Sequence, residues 1–186
     1  MPHTMHDPQA HLTPARRPLA KGAAGAAQAR LDTPLGPMTA LATEQGLAGL
    51  WFDGQKHHPG PLQAPQDPQH RVLQATARWL QAFWAREEEG EPAPALDLRS
   101  GTPFQRAIWT ALLQIPAGST STYATVAAAA GVPAAVRAAG AAIGRNPVSV
   151  IVPCHRVLGR DGTLTGYAGG LERKRALLAL EARAGA

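Results

Sequence analysis

Cysteine is nearly absent: Cys154 is the single one among 186 residues. That excludes an intrachain disulfide framework and any cysteine-rich zinc site, and a free thiol fits a reducing compartment. Long apolar runs are missing as well. No stretch of 18 apolar residues occurs, so no membrane-spanning helix is expected. The N-terminus has no apolar signal region, so secretion is not expected and the cytoplasm is the expected location. Seven histidines are present, but His3, His6 and His11 lie in a polar leader and His57-His58 in a Pro/Gly loop. None has a metal-ligand spacing, so no metal is expected.

Acidic residues are unevenly spread. Residues 1–30 carry a net +3, residues 31–98 a net −5 and residues 99–186 a net +7, within an overall +5. Such a split points to a C-terminal half that meets nucleic acid or phosphate. A merely solvated basic surface is the plainer alternative. The Ala/Arg/Gly/Pro bias suggests a GC-rich bacterial genome, hence bacterial cytoplasm or nucleoid.

What is present is a sequence of short elements. Residues 1–29 have no apolar period and read as a disordered leader. Residues 34–52 read as a hairpin, with strands at 38–43 and 47–52. Asp67-Pro68 reads as an N-cap followed by Pro at the first helical position. The helix after it is marked by Val72, Ala75, Thr76, Trp79, Leu80 and Phe83. Residues 90–100 read as a linker. Thr102-Pro103-Phe104-Gln105 is a capping box, with Phe104, Ile108, Ala111, Leu112 and Ile115 as the buried stripe. Helices at about 122–130 and 134–144 flank the turn Gly131-Val132-Pro133, which is helix-turn-helix spacing. An alanine-rich helical pair with no DNA role has the same pattern.

The second helix of that pair gathers Ala134, Arg137, Ala138, Ala141 and Arg145 on one face, with Val136, Gly140 and Ile143 opposite. The minor groove of B-DNA is only about 6 Å wide, against roughly 10–12 Å for a helix with ordinary side chains. A face stripped to alanine approaches such a groove closely, and one arginine can then act as a wedge. Good helix-forming alanines without that purpose would look alike.

The densest chemistry is Pro153-Cys154-His155-Arg156-Val157. A thiol beside His and Arg can be held as the nucleophilic thiolate. In the last helix, about 170–183, Leu171, Leu178 and Glu181 share a side, with Lys174 and Leu177 adjoining. A carboxylate near a helix C-terminus is unfavourable without a partner, so Glu181 is expected to meet a His or Arg. Cys154, His155 and Glu181 supply a nucleophile, base and orienter. Taken alone, the set does not separate an acyl-transfer hydrolase from an alkyl acceptor. On a straight strand His155 would face away from the thiol, so a bend or a bridging water is required.

The same residues resemble the O6-alkylguanine-DNA alkyltransferases, the methylated-DNA–protein-cysteine methyltransferase family. Beyond the cysteine motif, the resemblance includes Gly101-Thr102-Pro103-Phe104-Gln105, Ile115-Pro116-Ala117-Gly118, Tyr123 and Arg137-Ala138-Ala139-Gly140. It continues through Asn146-Pro147, Gly166-Tyr167-Ala168-Gly169-Gly170-Leu171, Lys174, Leu177-Leu178 and Glu181. It holds over about residues 95–182 and extends more weakly upstream to Thr33-Pro34-Leu35-Gly36-Pro37.

The resemblance implies an α/β N-terminal domain with a small antiparallel sheet over residues 30–95. It implies an α-helical C-terminal domain containing a helix-turn-helix over 96–186, which binds DNA and accepts the alkyl group. The implied function is repair of O6-alkylguanine, and of O4-alkylthymine, by irreversible single-turnover transfer to Cys154 after nucleotide flipping. The implied partner is double-stranded DNA, met through the minor groove by a monomer, with no cofactor and no membrane. Arg137 takes the finger role, and Tyr123 presses on the flanking phosphate and protonates the departing guanine. Asn146 ties the recognition helix to the cysteine loop, and Glu181, His155 and a water draw off the thiol proton. The carbonyls of Cys154 and Val157 read the guanine amine, the Ala168 amide meets O6, and Tyr167 lines the pocket. Two departures matter: Ala168 stands where some members have Ser, and the zinc site of some members has no second cysteine here. The product implied is a thioether, which water does not readily cleave, so the thiol is consumed.

Overall fold

The structure, a computed structural model, describes residues 26–87 and 90–182. Most of the expected leader lies outside the described residues. Its residues 27–29 do not, and they belong to a strand: β1 (Ala27–Leu31) pairs antiparallel with β2 (Met38–Thr43), which pairs antiparallel with β3 (Gly46–Phe52). The β2–β3 hairpin agrees with the sequence reading. β1 was hidden because only Ala27 and Ala29 carry its apolar alternation. Gln28 anchors the strand, its amide donating to the carbonyls of Leu62 and Ala64.

The sheet buries both faces. Met38, Ala40, Leu50 and Phe52 enter the main core, whereas Leu41 and Trp51 turn to a second cluster with Ala48 and Ala64. The Trp51 ring folds back over Gly49, where a Cβ would stand 1.8 Å from it, so only glycine fits. α1 (Arg71–Ala85) packs against all three strands. It starts three residues later than Asp67-Pro68 suggested. Asp67 caps only a local turn at the Gln69 amide, and His70 Nδ1 accepts from Val72 N–H as the true N-cap. The helix ends at Arg86, in the left-handed conformation.

Residues 95–97, expected as linker, instead lie along the outer edge of β3. Leu47 N–H donates to Ala95 O at 2.7 Å, and Asp97 N–H to Leu47 O at 2.8 Å. The buried Asp97 carboxylate accepts from Arg99 and Thr43. Further along the same edge, Leu50 N–H donates to Pro147 O and Ser149 N–H to Leu50 O, both at 2.8 Å. The edge is thereby covered twice, which removes an open template for pairing.

The C-terminal half is helical. α2 (Pro103–Leu112) begins at the expected capping box, with both reciprocal bonds formed. α3 (Tyr123–Ala129) is capped by Thr122. α4 (Val136–Gly144) starts two residues later than expected, because residues 132–135 close a separate turn through Ala135 N–H to Val132 O. Trp109 of α2 donates its Nε1–H to Ala142 O of α4 at 2.9 Å. A short parallel pair, β4 (Ser121–Thr122) and β5 (Val157–Leu158), and the last helix, α5 (Leu171–Ala182), complete the fold. One apolar core runs through both halves, joining Leu50 and Phe52 to Ile108, Leu112, Val148 and Leu177. Each such fully buried side chain contributes roughly 1.5–3 kcal/mol.

Candidate active site

Cys154 opens a 3₁₀ turn, Cys154–Arg156, so the chain does bend where the sequence required it. The segment leading in turns sharply at Val150, which is buried with φ of 73°. A β-branched residue in that region is strained by about 1–3 kcal/mol. Val152 N–H to Val148 O and Ile151 N–H to Ser149 O hold the turn. Asn146, just past the C-cap of α4, organises the chain from Val148 to Cys154. Its Nδ2 donates to Val152 O at 2.8 Å and to Cys154 Sγ at 3.0 Å, while its Oδ1 accepts from Val148 N–H. The end of α4 is thus tied to the thiol by one buried side chain.

His155 and Arg156 do not face the sulfur. Both turn to Glu181, which lies in the last turn of α5. His155 Nε2 is 2.8 Å from Glu181 Oε1. Arg156 donates to both carboxylate oxygens at 2.8 Å and also to Ile115 O. The expected partner of Glu181 is therefore both a His and an Arg. Burial opposes ionisation of Glu181, but the hydrogen bonds from His155 and Arg156 outweigh it and hold the carboxyl at about 2. Burial lowers the His155 pKa more than Glu181 raises it, so the ring is neutral at neutral pH. A neutral ring facing an ionised carboxylate carries its proton on Nε2. Nδ1 is then the basic nitrogen, and it is buried without a hydrogen-bond partner.

The resting thiol differs from the sequence expectation. Burial pushes the Cys154 pKa up from 9.0, more than the Asn146 hydrogen bond and the Lys174 charge bring it down. The two cations next in sequence give no thiolate here, because His155 is neutral and the Arg156 guanidinium is spent on Glu181. Lys174 is the cation that acts on the sulfur. It is fully buried, and its ammonium donates to Val157 O at 2.5 Å and Thr165 O at 2.6 Å. The buried stripe of α5 is accordingly Lys174, Leu177 and Glu181, whereas Leu171 is exposed. The sequence places Lys174 beside the apolar side of this helix but does not show which carbonyls it meets, so its bonds to Val157 O and Thr165 O were not foreseen.

The loop of residues 165–169 faces this cluster. The Tyr167 ring stands edge-on to His155, with centroids 6.4 Å apart, and burial raises its phenol pKa well above 10.0. Tyr123, first residue of α3, lies half-buried and donates to Thr165 O at 3.3 Å. Ala168 is half-buried and Val157 fully buried. Ala134, Arg137, Ala138, Ala141 and Arg145 are all exposed, on α4 and at its two ends. Val136 is exposed too, against the sequence reading, because Ala139, Ala142 and Ile143 are the residues that enter the core. Gly140 faces Tyr123. Among the described residues no group of three His, Cys, Asp or Glu side chains could hold a metal ion.

Fold and site together define a two-part protein, a small antiparallel sheet with a helical half, built around one buried and hydrogen-bonded cysteine. Residues 103–183 match the family described as 6-O-methylguanine DNA methyltransferase, DNA binding domain. A methylated-DNA–protein-cysteine methyltransferase of Mycobacterium tuberculosis is 44% identical over 151 residues, covering 81% of this chain and 89% of that protein. One from Methanosarcina barkeri is 41% identical over 157 residues, covering 81% and 94%. The solved structure of Mycobacterium tuberculosis OGT in complex with DNA superposes with a TM-score of 0.75 at 40% identity, covering 85% of this chain and 94% of that one. The chain belongs to the methylated-DNA–protein-cysteine methyltransferase family.

Proposed function

We propose that this protein repairs O6-alkylguanine, and O4-alkylthymine, in double-stranded DNA by moving the alkyl group once and irreversibly onto Cys154. The observation that carries the chemistry is the buried, unpartnered Nδ1 of His155, whose other nitrogen is fixed on an ionised Glu181. A protonated thiol needs a base at the moment of attack. A water between the sulfur and Nδ1 passes the proton, and Glu181 stabilises the imidazolium that forms. The S–C bond forms as the C–O6 bond breaks. Guanine leaves as a neutral base after taking a proton from Tyr123, which His155 makes good, so that one proton moves in total from sulfur to guanine.

The exposed face of α4 supports the route to the lesion. α3, the turn and α4 serve as the helix-turn-helix within residues 96–186. The alanines at 134, 138 and 141 allow close approach to the minor groove, and Arg145 meets phosphate. Arg137 fills the stack when the damaged nucleotide flips out. In the pocket, the carbonyls of Cys154 and Val157 read the guanine amine. Val157 O already accepts from Lys174, and a carbonyl has a second lone pair for the base. The Ala168 amide donates to O6 and Tyr167 lines the pocket, while Asn146 keeps the sulfur in register with α4.

The test is intact mass after incubation with a duplex containing O6-methylguanine. One methyl group per molecule, absent from Cys154→Ser, is expected. An unchanged mass in folded wild-type protein would refute the proposal.

A further inference from the structure

The loop that would line the base pocket is held in part from the N-terminal half. Arg173, in the first turn of α5, reaches across to the N-terminal half. Its Nε donates to Leu35 O at 2.9 Å, its NH1 donates to Gly169 O at 3.0 Å, and its guanidinium lies 4.5 Å over the Phe52 ring. Beside it, Lys56 N–H donates to Ala168 O at 2.9 Å. Gly169 is wedged between two rings. A Cβ there would stand 2.6 Å from Tyr167 and 3.3 Å from Phe52. Two consecutive carbonyls of the loop, at Ala168 and Gly169, are therefore set by the Lys56 amide and by an arginine anchored on Leu35 and Phe52.

The opposite side of the site is held by the same half. β3 takes residues 147–149 through the paired bonds at Leu50, and Asn146 immediately precedes them. The N-terminal half thus meets both the segment that carries Asn146 toward the thiol, through β3, and the loop that carries Tyr167 and Ala168, through Lys56 and through Arg173 on Leu35 and Phe52. On the first side main-chain bonds are joined by one from the Ser149 hydroxyl to Gln55 Oε1. On the second, the Lys56 amide holds Ala168 O, and Gly169 O is held by one side chain, Arg173, whose fork is suited to hold two carbonyls at once.

We propose that Arg173 is a positioning residue that sets the width of the lesion pocket, by fixing the loop of Tyr167, Ala168 and Gly169 against the N-terminal half. This rests on the reading above that the Ala168 amide and Tyr167 line that pocket. Arg173 touches no reacting atom. It acts by holding the Ala168 amide where O6 arrives, and by stopping the loop from backing away to admit a bulkier alkyl group.

The experiment compares single-turnover rate constants at saturating duplex, one carrying O6-methylguanine and one O6-benzylguanine, for wild type, Arg173→Met and Arg173→Lys. Methionine keeps an unbranched apolar side chain and removes the guanidinium, with its contact to Phe52 and every hydrogen bond. Lysine keeps the charge and loses the fork. The expected result is a methyl-transfer rate lowered about tenfold in Arg173→Met. The benzyl-transfer rate falls less, so the benzyl-to-methyl ratio rises severalfold, with a smaller rise in Arg173→Lys. A variant that is only unstable loses burst amplitude, while its rate constants and their ratio stay at the wild-type values. A ratio unchanged in both variants, whether rates fall together or not at all, overturns the proposal while leaving the repair function intact. Wild type that forms no adduct with either duplex overturns the underlying function instead.

Discussion

Glu181→Gln tests the centre of the site with little change of shape. The carboxylate is buried and accepts from His155 and twice from Arg156. Glutamine keeps one acceptor but turns an NH2 group toward a donor. The folded carboxyl is held at about 2 against an ordinary 4.5, which corresponds to roughly 3 kcal/mol of stability at neutral pH. That agrees with the roughly 3–5 kcal/mol for breaking one partner of a buried pair. In a chain of this size it lowers Tm by roughly 6–12 °C, leaving the protein folded at 25 °C if its total stability is ordinary.

The pH dependence isolates the cause. A carboxyl whose folded value lies below its unfolded one contributes fully above the unfolded value and loses that contribution as pH falls through the folded one. The gap between wild type and Glu181→Gln is therefore complete above about 4.5 and closes toward about 2. Asp97, held at about 2 chiefly by Arg99, titrates in the same window in both proteins and cancels from the difference. Urea unfolding from pH 7 down to pH 2 measures the gap, and single-turnover methyl transfer measures the function. Without Glu181, burial and the Arg156 and Lys174 charges act unopposed on His155, which becomes a poorer proton acceptor, and the rate falls on the order of 100-fold or more. A folded variant that transfers methyl within about threefold of wild type, or a stability gap that does not change with pH, would refute the reasoning.

If the exposed Arg137 serves flipping and not the thiol, as proposed, Arg137→Ala should slow repair of duplex O6-methylguanine far more than reaction with free O6-benzylguanine; equal losses would remove the finger role. Log affinity for undamaged duplex should fall linearly with log salt concentration, in proportion to the phosphates that the net +7 half neutralises. A flat response in a titration by fluorescence anisotropy would rule out that surface. Thr102→Ala removes the hydroxyl that accepts from Gln105 N–H in the α2 capping box and should cost about 1 kcal/mol in urea unfolding, with little effect on the rate constant of transfer.

Local signals were legible and distant pairings were not. The capping box at Thr102, the hairpin and the exposed alanine-arginine face of α4 each depend on residues within one turn or one strand pair, so their patterns survive in the sequence. Glu181 was legible for another reason: a charge placed where the helix end disfavours it has to find a counter-charge. β1 was missed because Ala-Gln-Ala-Arg-Leu has too little apolar side chain to show its period. The strand exists through its pairing with β2 and through Gln28. The joining of Leu50 to residues 147–149 spans roughly half the chain and leaves no mark at either end. Arg173 looks like a solvated helix charge, and Lys174, adjoining the apolar side of the helix, gives no sign of its partners, until the fold brings carbonyls to both. The cysteine and the carboxylate that meets His155 could be read in advance; the carbonyls that Lys174 and Arg173 hold could not.

The buried thiol bears directly on how such a protein survives before it meets a lesion. If Cys154 is consumed by one transfer, any stray alkylation destroys a molecule, so a standing thiolate would be a liability. The structure has the opposite arrangement: burial raises the thiol pKa above 9.0 against the pull of Asn146 and Lys174, and the side chain is buried. In the proposed mechanism the proton leaves through His155 when the base is in place, so that activation would depend on occupancy of the pocket. Iodoacetamide labelling of the folded protein should therefore be slow at neutral pH and rise only above the ordinary thiol range. The urea-unfolded chain should label with an ordinary thiol titration. Replacing Asn146 by Leu removes the bond that favours the thiolate and should shift the folded profile further upward. A folded wild-type titration at or below that of the unfolded chain would mean a resting thiolate, and the case for activation by lesion binding would fall with it.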